Sequence, residues 1–356
     1  MASGLRNRRP IMRYYFGHRG PGASRSRTAA AILALLLLAV GCKQGDEPAP
    51  PGVGVAPLAV TLCHGSVTDI LPRIALDQGY FSEEGVTVTL KDLDGKLAFD
   101  GMLKGECNFA VSGAPPIVLA DPQVTPFAIL ATVLSDDDAA RIIARRDRGI
   151  ATPQDLKGKR IGMKKGVFGH IFLDLFMMKH HLAQNEVEQV FMDTDKLQPA
   201  LDAGQIDGFS MTNKMVNAAA RSLGDRGVVF AEPGLNTIHA ILTTRLDIPL
   251  NLQATPRVLK ALVRAEQYAR SEPAAAMGLV AKGSSLSVRE TEEIWARSTI
   301  RVALNNPLFV YLEDQYRWQM ERGGSPAPAS MPNYLHFVFP EYLRAIKPDA
   351  VSVTKR

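Results

Sequence analysis

The chain alternates short apolar runs with segments whose apolar residues recur at helical spacing. Five runs in its first half have the length and composition of buried strands: 58–62, 86–90, 108–111, 127–134 and 141–145. The pattern continues with runs at 159–163, 189–192, 206–210, 228–231 and 237–243. Because helical segments and short loops separate most of these runs, we predict an α/β fold in which mostly parallel sheets are flanked by helices.

The order of the elements predicts two lobes. Strand–helix units appear twice, before and after about residue 136. We expect residues 58–135 plus 247–356 to form lobe I and residues 136–246 to form lobe II, with two crossing segments as the hinge between them.

The chain is helical in pattern from about residue 255 to its end. Ser287-x-x-Glu290 is a capping box, and the helix that it opens is predicted to run to about residue 304. Another helix is predicted over 311–322. We expect this helical tail to return to lobe I and pack on it.

The stretch 151–170 is the clearest candidate for a binding loop. A short strand is followed by Lys164-Lys165-Gly166, and apolar positions at helical spacing begin at Phe168. The first turn of a helix has unpaired N–H groups and the positive end of the helix dipole, which together favour a negatively charged group. Since no nucleophile with its base is present in this stretch, it predicts binding rather than catalysis.

The first 41 residues have a composition of their own. They contain seven arginines and no acidic residue, and 29–40 is an apolar run too short to span a bilayer comfortably. This combination predicts an export signal over residues 1–41. Without those seven arginines the 41 basic residues fall to 34 against 36 acidic ones, which argues against a polybasic surface for nucleic acid.

The end of the apolar run, Leu38-Ala39-Val40-Gly41-Cys42, resembles a bacterial lipobox. The resemblance implies that Cys42 carries lipid and becomes the mature N-terminus. Residues 42–57 are rich in proline and glycine and would form a flexible tether to the membrane. An uncleaved anchor and a plain signal peptide are the alternatives.

The two remaining cysteines, Cys63 and Cys107, are not expected to form a disulfide. Cys63 ends one predicted strand and Cys107 begins another. If these strands are parallel neighbours, roughly 16 Å separates the two residues, whereas bridged cysteines need Cα atoms within about 7 Å. No cysteine pair has the spacing of metal ligands, and we expect no cofactor.

Four motifs resemble those of the type II periplasmic solute-binding proteins of ABC importers. The motifs are Pro72-x-x-Ala75-x-x-x-Gly79-Tyr80-Phe81-x-x-Glu84-Gly85-Val86, Leu103-x-Gly105-Glu106-Cys107-Asn108-Phe109-Ala110, Asp155-Leu156-Lys157-Gly158-Lys159-Arg160-Ile161-Gly162 and Leu201-x-x-Gly204-Gln205-Ile206-Asp207-Gly208. They are most similar to the branch for sulfonates, nitrate or bicarbonate, and thiamine-precursor pyrimidines. The resemblance implies two α/β lobes that close on a ligand by hinge motion, and an ABC permease with its ATPase as partners.

Ligands of open α/β sheets lie beyond the carboxyl ends of the strands, which gives the candidate binding residues. They are Cys63, His64, Gly65 and Ser66 after the first strand, Ser112, Gly113 and Ala114 after the third, Gly166, Val167, Phe168, Gly169 and His170 in lobe II, and Thr212 and Asn213 after a later strand. The resemblance also implies that the Gly166–Gly169 loop contacts the ligand.

Several of these candidates have a structural alternative. His64 is either a ligand donor or a solvated loop residue, and Cys63 either lines the cleft or is a small buried residue. Phe168 either stacks on a ligand ring or packs in the core, and the role of His170 is open. Thr68 is expected to cap a helix. Asp136-Asp137-Asp138 is expected to consist of hydrated hinge acids rather than a cation site.

We therefore predict a lipid-anchored, extracytoplasmic, monomeric substrate-binding protein that is not an enzyme. Its cargo would be a sulfonate, a nitrate- or bicarbonate-type anion or a pyrimidine-like compound. An enzyme of the same fold, similar to pyrimidine-precursor synthases, is the main alternative. The export signal and the lack of those synthases' cysteine-rich motif argue against it. A ligand-sensing module is the third possibility.

Overall fold

The computed structural model describes residues 56–65, 68–93, 95–121, 124, 126–284, 286–323 and 330–353. They belong to one compact unit, Val55–Arg356. The expected export signal, the lipobox with Cys42 and almost all of the tether lie outside the described residues. Within the described part, no helix is both long and apolar enough to cross a membrane.

The described residues form strands and helices in alternation up to the middle of the chain. The strands are β1 (Leu58–His64), β2 (Val86–Asp92), β3 (Phe109–Ser112), β4 (Ala128–Asp136), β5 (Ala140–Arg145), β6 (Arg160–Met163), β7 (Glu188–Phe191), β8 (Gly208–Thr212), β9 (Gly227–Phe230), β10 (Ile238–Thr244) and β11 (Ser298–Ala303). The helices are α1 (Ile70–Asp77), α2 (Tyr80–Glu83), α3 (Gly95–Leu103), α4 (Ala114–Leu119), α5 (Phe168–Lys179), α6 (Leu197–Asp202), α7 (Asn213–Leu223), α8 (Pro249–Ser271), α9 (Pro273–Gly283), α10 (Val288–Arg297), α11 (Pro307–Trp318) and α12 (Pro340–Ile346).

The strands form two sheets, one in each lobe, so the two-lobed α/β prediction is confirmed. The first sheet has the order β11-β4-β10-β3-β1-β2 and the second has the order β7-β6-β8-β5-β9. The parallel pairs are β1 with β2 and β3, and β6 with β7 and β8. The pairs that involve β5, β10 or β11 are antiparallel, because strands next to the crossing segments reverse direction. Each sheet is therefore mixed, and four of its strands run in the same direction, as a mostly parallel sheet requires.

Two strands differ from the sequence-based expectations. β10, which the predicted boundaries assigned to lobe II, lies in the first sheet between β3 and β4. The predicted long helix after Ser287 ends at Arg297, and the next six residues form β11 on the edge of the first sheet. The capping box itself is present, since Glu290 N donates to Ser287 Oγ at 3.2 Å. Pairing of Ile300 with Leu134 replaces the helical hydrogen bonds that the sequence pattern suggested.

The C-terminal helices pack on the first lobe, as expected. One apolar core contains Ile74 of α1, Phe109 of β3, Leu259 of α8 and Leu343 of α12, all fully buried. The second lobe has a separate core on each face of its sheet, one built around Phe172 and Phe176 and the other around Phe209. Burial of such side chains stabilises each lobe through its own core.

Cys63 and Cys107 form a disulfide, so the expectation that they would stay apart is wrong. Their Cα atoms are 6.0 Å apart. The expectation placed Cys107 at the start of a strand parallel to the one that Cys63 ends, roughly 16 Å away. Instead the register sets Cys63 opposite Ala110, and Cys107 lies ahead of β3, where its N–H bonds to the carbonyl of Gly101. The turn brings the two sulfur atoms together.

The first crossing segment contains two buried acids rather than hydrated ones. Both carboxylate oxygens of Asp136 lie 3.0 Å from Arg297 Nε and share its single N–H, and Asp138 is paired with Arg141. Burial raises the pKa of Asp136, while Arg297 opposes the shift. Only Asp137 is exposed, and its carboxylate accepts the Thr237 hydroxyl of the second crossing segment at 2.8 Å. Asp137 therefore links the two crossing segments, while Asp136 joins the first of them to α10.

Candidate functional site

The carboxyl ends of strands from both sheets lead into the loops that sequence analysis singled out. β1 ends at His64 and β3 at Ser112 in the first lobe, while β6 ends at Met163 and β8 at Thr212 in the second. Each pair lies on one edge of its sheet, since β1 and β3 are parallel and so are β6 and β8. The candidate site is the cleft between these two edges.

The lobes touch each other where Gly113 meets Phe168. A Cβ atom built on Gly113 would lie 2.4 Å from Cζ of Phe168 and 3.0 Å from its Cε1. The backbone at Gly113 is extended, with φ −78°, so the requirement for glycine comes from this approach and not from backbone strain. Phe168 is half-buried. The ring belongs to lobe II and rests on the backbone of lobe I, so this contact joins the two lobes at the candidate site.

Contacts with Ser210 of β8 hold the Gly166–Gly169 loop in place. The Ser210 hydroxyl donates to the carbonyl of Gly169 at 2.7 Å, and a Cβ on Gly169 would lie 2.2 Å from the carbonyl oxygen of Ser210. Gly166 has φ 77°, the left-handed conformation that favours glycine. Val167, half-buried, is the residue before α5. The loop is thus rigidly seated with its helix start facing the cleft edge.

His170 orients this loop. Its side chain is 1% exposed, and its Nδ1 accepts the N–H of Gly166 at 3.3 Å, which leaves the proton of the neutral ring on Nε2. The ring packs edge-on against Trp318 at 4.7 Å and Phe191 at 5.0 Å. Burial lowers the pKa of His170, so the ring is neutral at physiological pH. We interpret His170 as a residue that positions the loop.

The loop after β1 is stabilised by Thr68. Its hydroxyl lies 3.0 Å from both the N–H and the carbonyl oxygen of Gly65 and 3.3 Å from the carbonyl of Val111. Thr68 therefore closes the turn and ties it to β3, whereas the expected helix cap is absent, because Asp69 precedes α1 and makes no cap bond. Ser66 lies outside the described residues.

Two residues of the β1 end are more buried than expected. His64 is 2% exposed with its Nδ1 3.2 Å from the carbonyl oxygen of Gly65, so the solvated alternative is wrong. Cys63 is fully buried and its sulfur is part of the disulfide, so its side chain belongs to the core of lobe I. A free thiolate at this position is excluded.

The ends of β3 and β8 carry buried polar atoms that no other described residue pairs. Ser112 is fully buried and its Oγ has no hydrogen-bond partner in the described part of the chain. Asn213 is 3% exposed; its Nδ2 donates to the carbonyl of Asp138, and its Oδ1 is likewise unpaired. Ala114 beside Ser112 is buried, and Thr212 beside Asn213 is half-buried.

The C-terminal tail contributes a wall that sequence analysis missed. Tyr311, Gln315 and Gln319 recur every four residues on one side of α11 and its extension. Tyr311 packs against His239 of β10 at 4.6 Å, on lobe I. Gln319 donates to the carbonyl of Gly166 at 2.8 Å, on lobe II. Glutamines on the buried side of an amphipathic helix are the sequence signal that could have revealed this wall.

Asp174 of α5 anchors the tail to lobe II. Its Oδ2 accepts the Trp318 indole N–H at 3.0 Å and its Oδ1 accepts Arg322 Nη2 at 3.1 Å. Asp174 is 7% exposed. Since the tail packs on lobe I, these bonds join the lobes, and we call Asp174, Trp318 and Arg322 the latch.

The described residues contain no group of three or more His, Cys, Asp or Glu side chains that could hold a metal ion. The unpaired cleft atoms named above are hydroxyl and amide oxygens. No base is hydrogen-bonded to Ser112 Oγ in the described part of the chain, so this set is suited to hydrogen bonding.

Two α/β lobes that meet over a polar cleft define a periplasmic-binding-protein fold. Among solved structures, the aliphatic sulphonate binding protein SsuA from Escherichia coli is similar, with a TM-score of 0.62 and 16% identity over 76% of this chain and 95% of that chain. The nitrate-binding protein NrtA from Synechocystis PCC 6803 has a TM-score of 0.60 and 12% identity over 82% and 89%.

The family follows from sequence. Residues 72–276, more than half of the chain, match the family described as NMT1/THI5 like, and the chain belongs to that family. A protein of Brucella abortus named as a binding protein is 22% identical over 218 residues, which is 60% of this chain. The match covers 66% of that relative, just under two thirds of its length.

Proposed function

We propose that the protein is the extracytoplasmic substrate-binding protein of an ABC import system. The main support is the cleft, where polar loops from two separate sheets face each other and the lobes touch at Gly113 and Phe168. The named relative and the two structural neighbours are binding proteins, which is consistent with this role.

Transport would begin with closure of the lobes around a small solute. A ligand that contacts both edges stabilises the closed arrangement only by its higher affinity for that arrangement. The latch and the Gly113–Phe168 contact supply closed-state interactions from the protein itself. The bond from the Thr237 hydroxyl to Asp137 would hold the two crossing segments together while the lobes move.

The solute classes we propose are sulfonates, nitrate- or bicarbonate-type anions and pyrimidine-like rings. SsuA and NrtA support the first two through their names. Phe168 at the cleft offers a face for an aromatic ring, and the start of α5 favours negative charge.

We also propose that lipid on Cys42 holds the protein, as a monomer, at the outer face of the membrane, where it delivers solute to a permease and its ATPase. The Cys63–Cys107 disulfide supports an oxidising compartment outside the cytoplasm. Mass spectrometry of the protein from its native membrane tests the anchor: a diacylated N-terminal cysteine at Cys42 is expected, and an unmodified or differently cleaved N-terminus would contradict it.

Thermal unfolding against a panel of sulfonates, nitrate, bicarbonate, carboxylates and pyrimidines tests the function. A solute at about one hundred times its dissociation constant stabilises the folded state by about 2.7 kcal/mol, which raises the melting temperature measurably. We expect one class to do so and to be recovered chemically unchanged. A solute consumed during incubation would instead identify an enzyme, and a folded protein that responds to none would contradict binding of these classes.

A further inference from the structure

Two buried side-chain amides at the cleft have an orientation that their own hydrogen bonds determine. Asn213 Nδ2 donates to the carbonyl of Asp138, and Gln319 Nε2 donates to the carbonyl of Gly166 at 2.8 Å. A carbonyl oxygen only accepts, so in each case the NH₂ group must face it. The other atom, Asn213 Oδ1 or Gln319 Oε1, is therefore an acceptor.

Neither acceptor has a protein partner. Asn213 is 3% and Gln319 is 1% exposed, and no described residue donates a hydrogen bond to Asn213 Oδ1 or Gln319 Oε1. Buried polar atoms are nearly always paired, and the exceptions in a native protein are commonly functional.

Both amides lie at the same edge of the second sheet. Asn213 directly follows β8, and Gln319 contacts Gly166, which follows β6. β6 and β8 are neighbouring parallel strands, so their carboxyl ends are adjacent. The facing edge of the first sheet presents Ser112 Oγ, a hydroxyl that can donate or accept.

The basic side chains of this edge do not donate hydrogen bonds to these two acceptors. Lys165 is exposed and lies over the Phe191 ring at 5.4 Å, and Arg322 is bonded to Asp174. Lys164, half-buried after β6, is compatible with an anionic group elsewhere on the same solute. An ion without any N–H or O–H would leave both amide oxygens unpaired and facing negative charge.

We infer that the cleft selects solutes that carry an N–H or O–H donor, whose hydrogen bonds Asn213 Oδ1 and Gln319 Oε1 accept. This inference rests on the proposed solute-binding function and narrows its ligand classes. It favours amino- or hydroxy-substituted members of the sulfonate, carboxylate and pyrimidine classes over unsubstituted ones, and it disfavours nitrate. Sites built to pair a substrate donor discriminate strongly against analogues that lack the donor.

Matched solute pairs test the inference by calorimetric titration of the purified protein. The pairs are taurine with ethanesulfonate, glycolate with acetate, and 4-aminopyrimidine with pyrimidine. In the class that binds, the donor-bearing member should bind at least tenfold more tightly. Equal or tighter binding of the unsubstituted member would overturn the inference but leave solute binding intact. Silence of all six together with binding of nitrate would overturn the inference and leave solute binding intact. Silence of all six and of nitrate and bicarbonate as well would contradict the proposed solute classes.

A variant separates the acceptor role of Gln319 from its support of the loop. Gln319→Met should weaken binding of the donor-bearing solute at least tenfold and change the affinity for its unsubstituted partner by less than threefold. Gln205→Met is the matched control, because Gln205 is exposed in the connection before β8, away from the carboxyl edge. It should change neither affinity. Equal loss for both members of a pair would show that Gln319 acts only through the Gly166 loop and would overturn its acceptor role.

Discussion

Replacing Gly113 by alanine should hold the lobes apart. The new Cβ would lie 2.4 Å from Cζ of Phe168, so the ring must withdraw by about 1 Å to restore ordinary contact. Insertion of a methyl group into a packed contact costs about 1–3 kcal/mol. Since the ring belongs to the other lobe, opening the cleft relieves the clash, and the cost falls on closure rather than on folding.

The expected result is a loss of solute affinity of about 5- to 150-fold, the equivalent of 1–3 kcal/mol. Calorimetric titration with the solute found in the panel measures it, and the melting temperature of the solute-free protein should stay nearly constant. Gly278→Ala is the control, because no atom lies within 4 Å of a Cβ there and α9 accepts alanine. It should bind as the parent does.

A second substitution shows whether the Phe168 ring is responsible. Gly113→Ala should cost less affinity when Phe168 is replaced by leucine than when Phe168 is present, because the smaller side chain leaves room for the new methyl group. Unchanged affinity in Gly113→Ala, or identical losses with and without the ring, would refute the reasoning.

Three further perturbations follow from named contacts. Asp174→Asn removes the charge of the latch and should speed solute release about tenfold in stopped-flow measurements, with the association rate unchanged. Asp195→Asn, at an exposed residue, is the control. Equal release rates for Asp174→Asn and the parent protein would contradict the latch. Burial lowers the pKa of His170, so its contribution to the free energy of unfolding should fall as pH drops through 6.5, by at most about 1.4 kcal/mol between pH 7.5 and 5.5. Because burial also lowers the pKa of His239, His170→Gln should reduce the fall of the denaturant midpoint over this range without abolishing it, and an unchanged fall would contradict neutral burial of His170. Cys107→Ser removes the disulfide that closes a loop with a sequence separation of 44 and should lower the free energy of unfolding by about 4 kcal/mol, measured by chemical denaturation. A decrease of less than about 1 kcal/mol would contradict the disulfide.

The local pattern of the sequence is enough to predict the α/β class and most of the strand ends from which the candidate loops begin. Apolar runs end where glycine and polar residues begin, and those ends lie on the two facing edges. The helix at Ser287 was also predicted, because its capping box is a local signal. Such features depend on residues a few positions apart.

The features that were missed depend on residues far apart in sequence. β11 pairs with β4, more than a hundred and fifty residues earlier, and this pairing overrides a helical pattern. The Cys63–Cys107 disulfide depends on a turn before β3 that periodicity does not encode. Gln319 reaches the loop at Gly166 only because the tail crosses from lobe I to lobe II.

The central claim is that one solute is held by loops of both lobes. Hydrogen–deuterium exchange with and without the solute from the panel tests it most directly. Protection should appear together in the peptides that contain Ser112–Ala114 and Gly166–His170, and in the tail at Gln319. Protection confined to one sheet edge, or to a surface away from these segments, would contradict binding between the lobes.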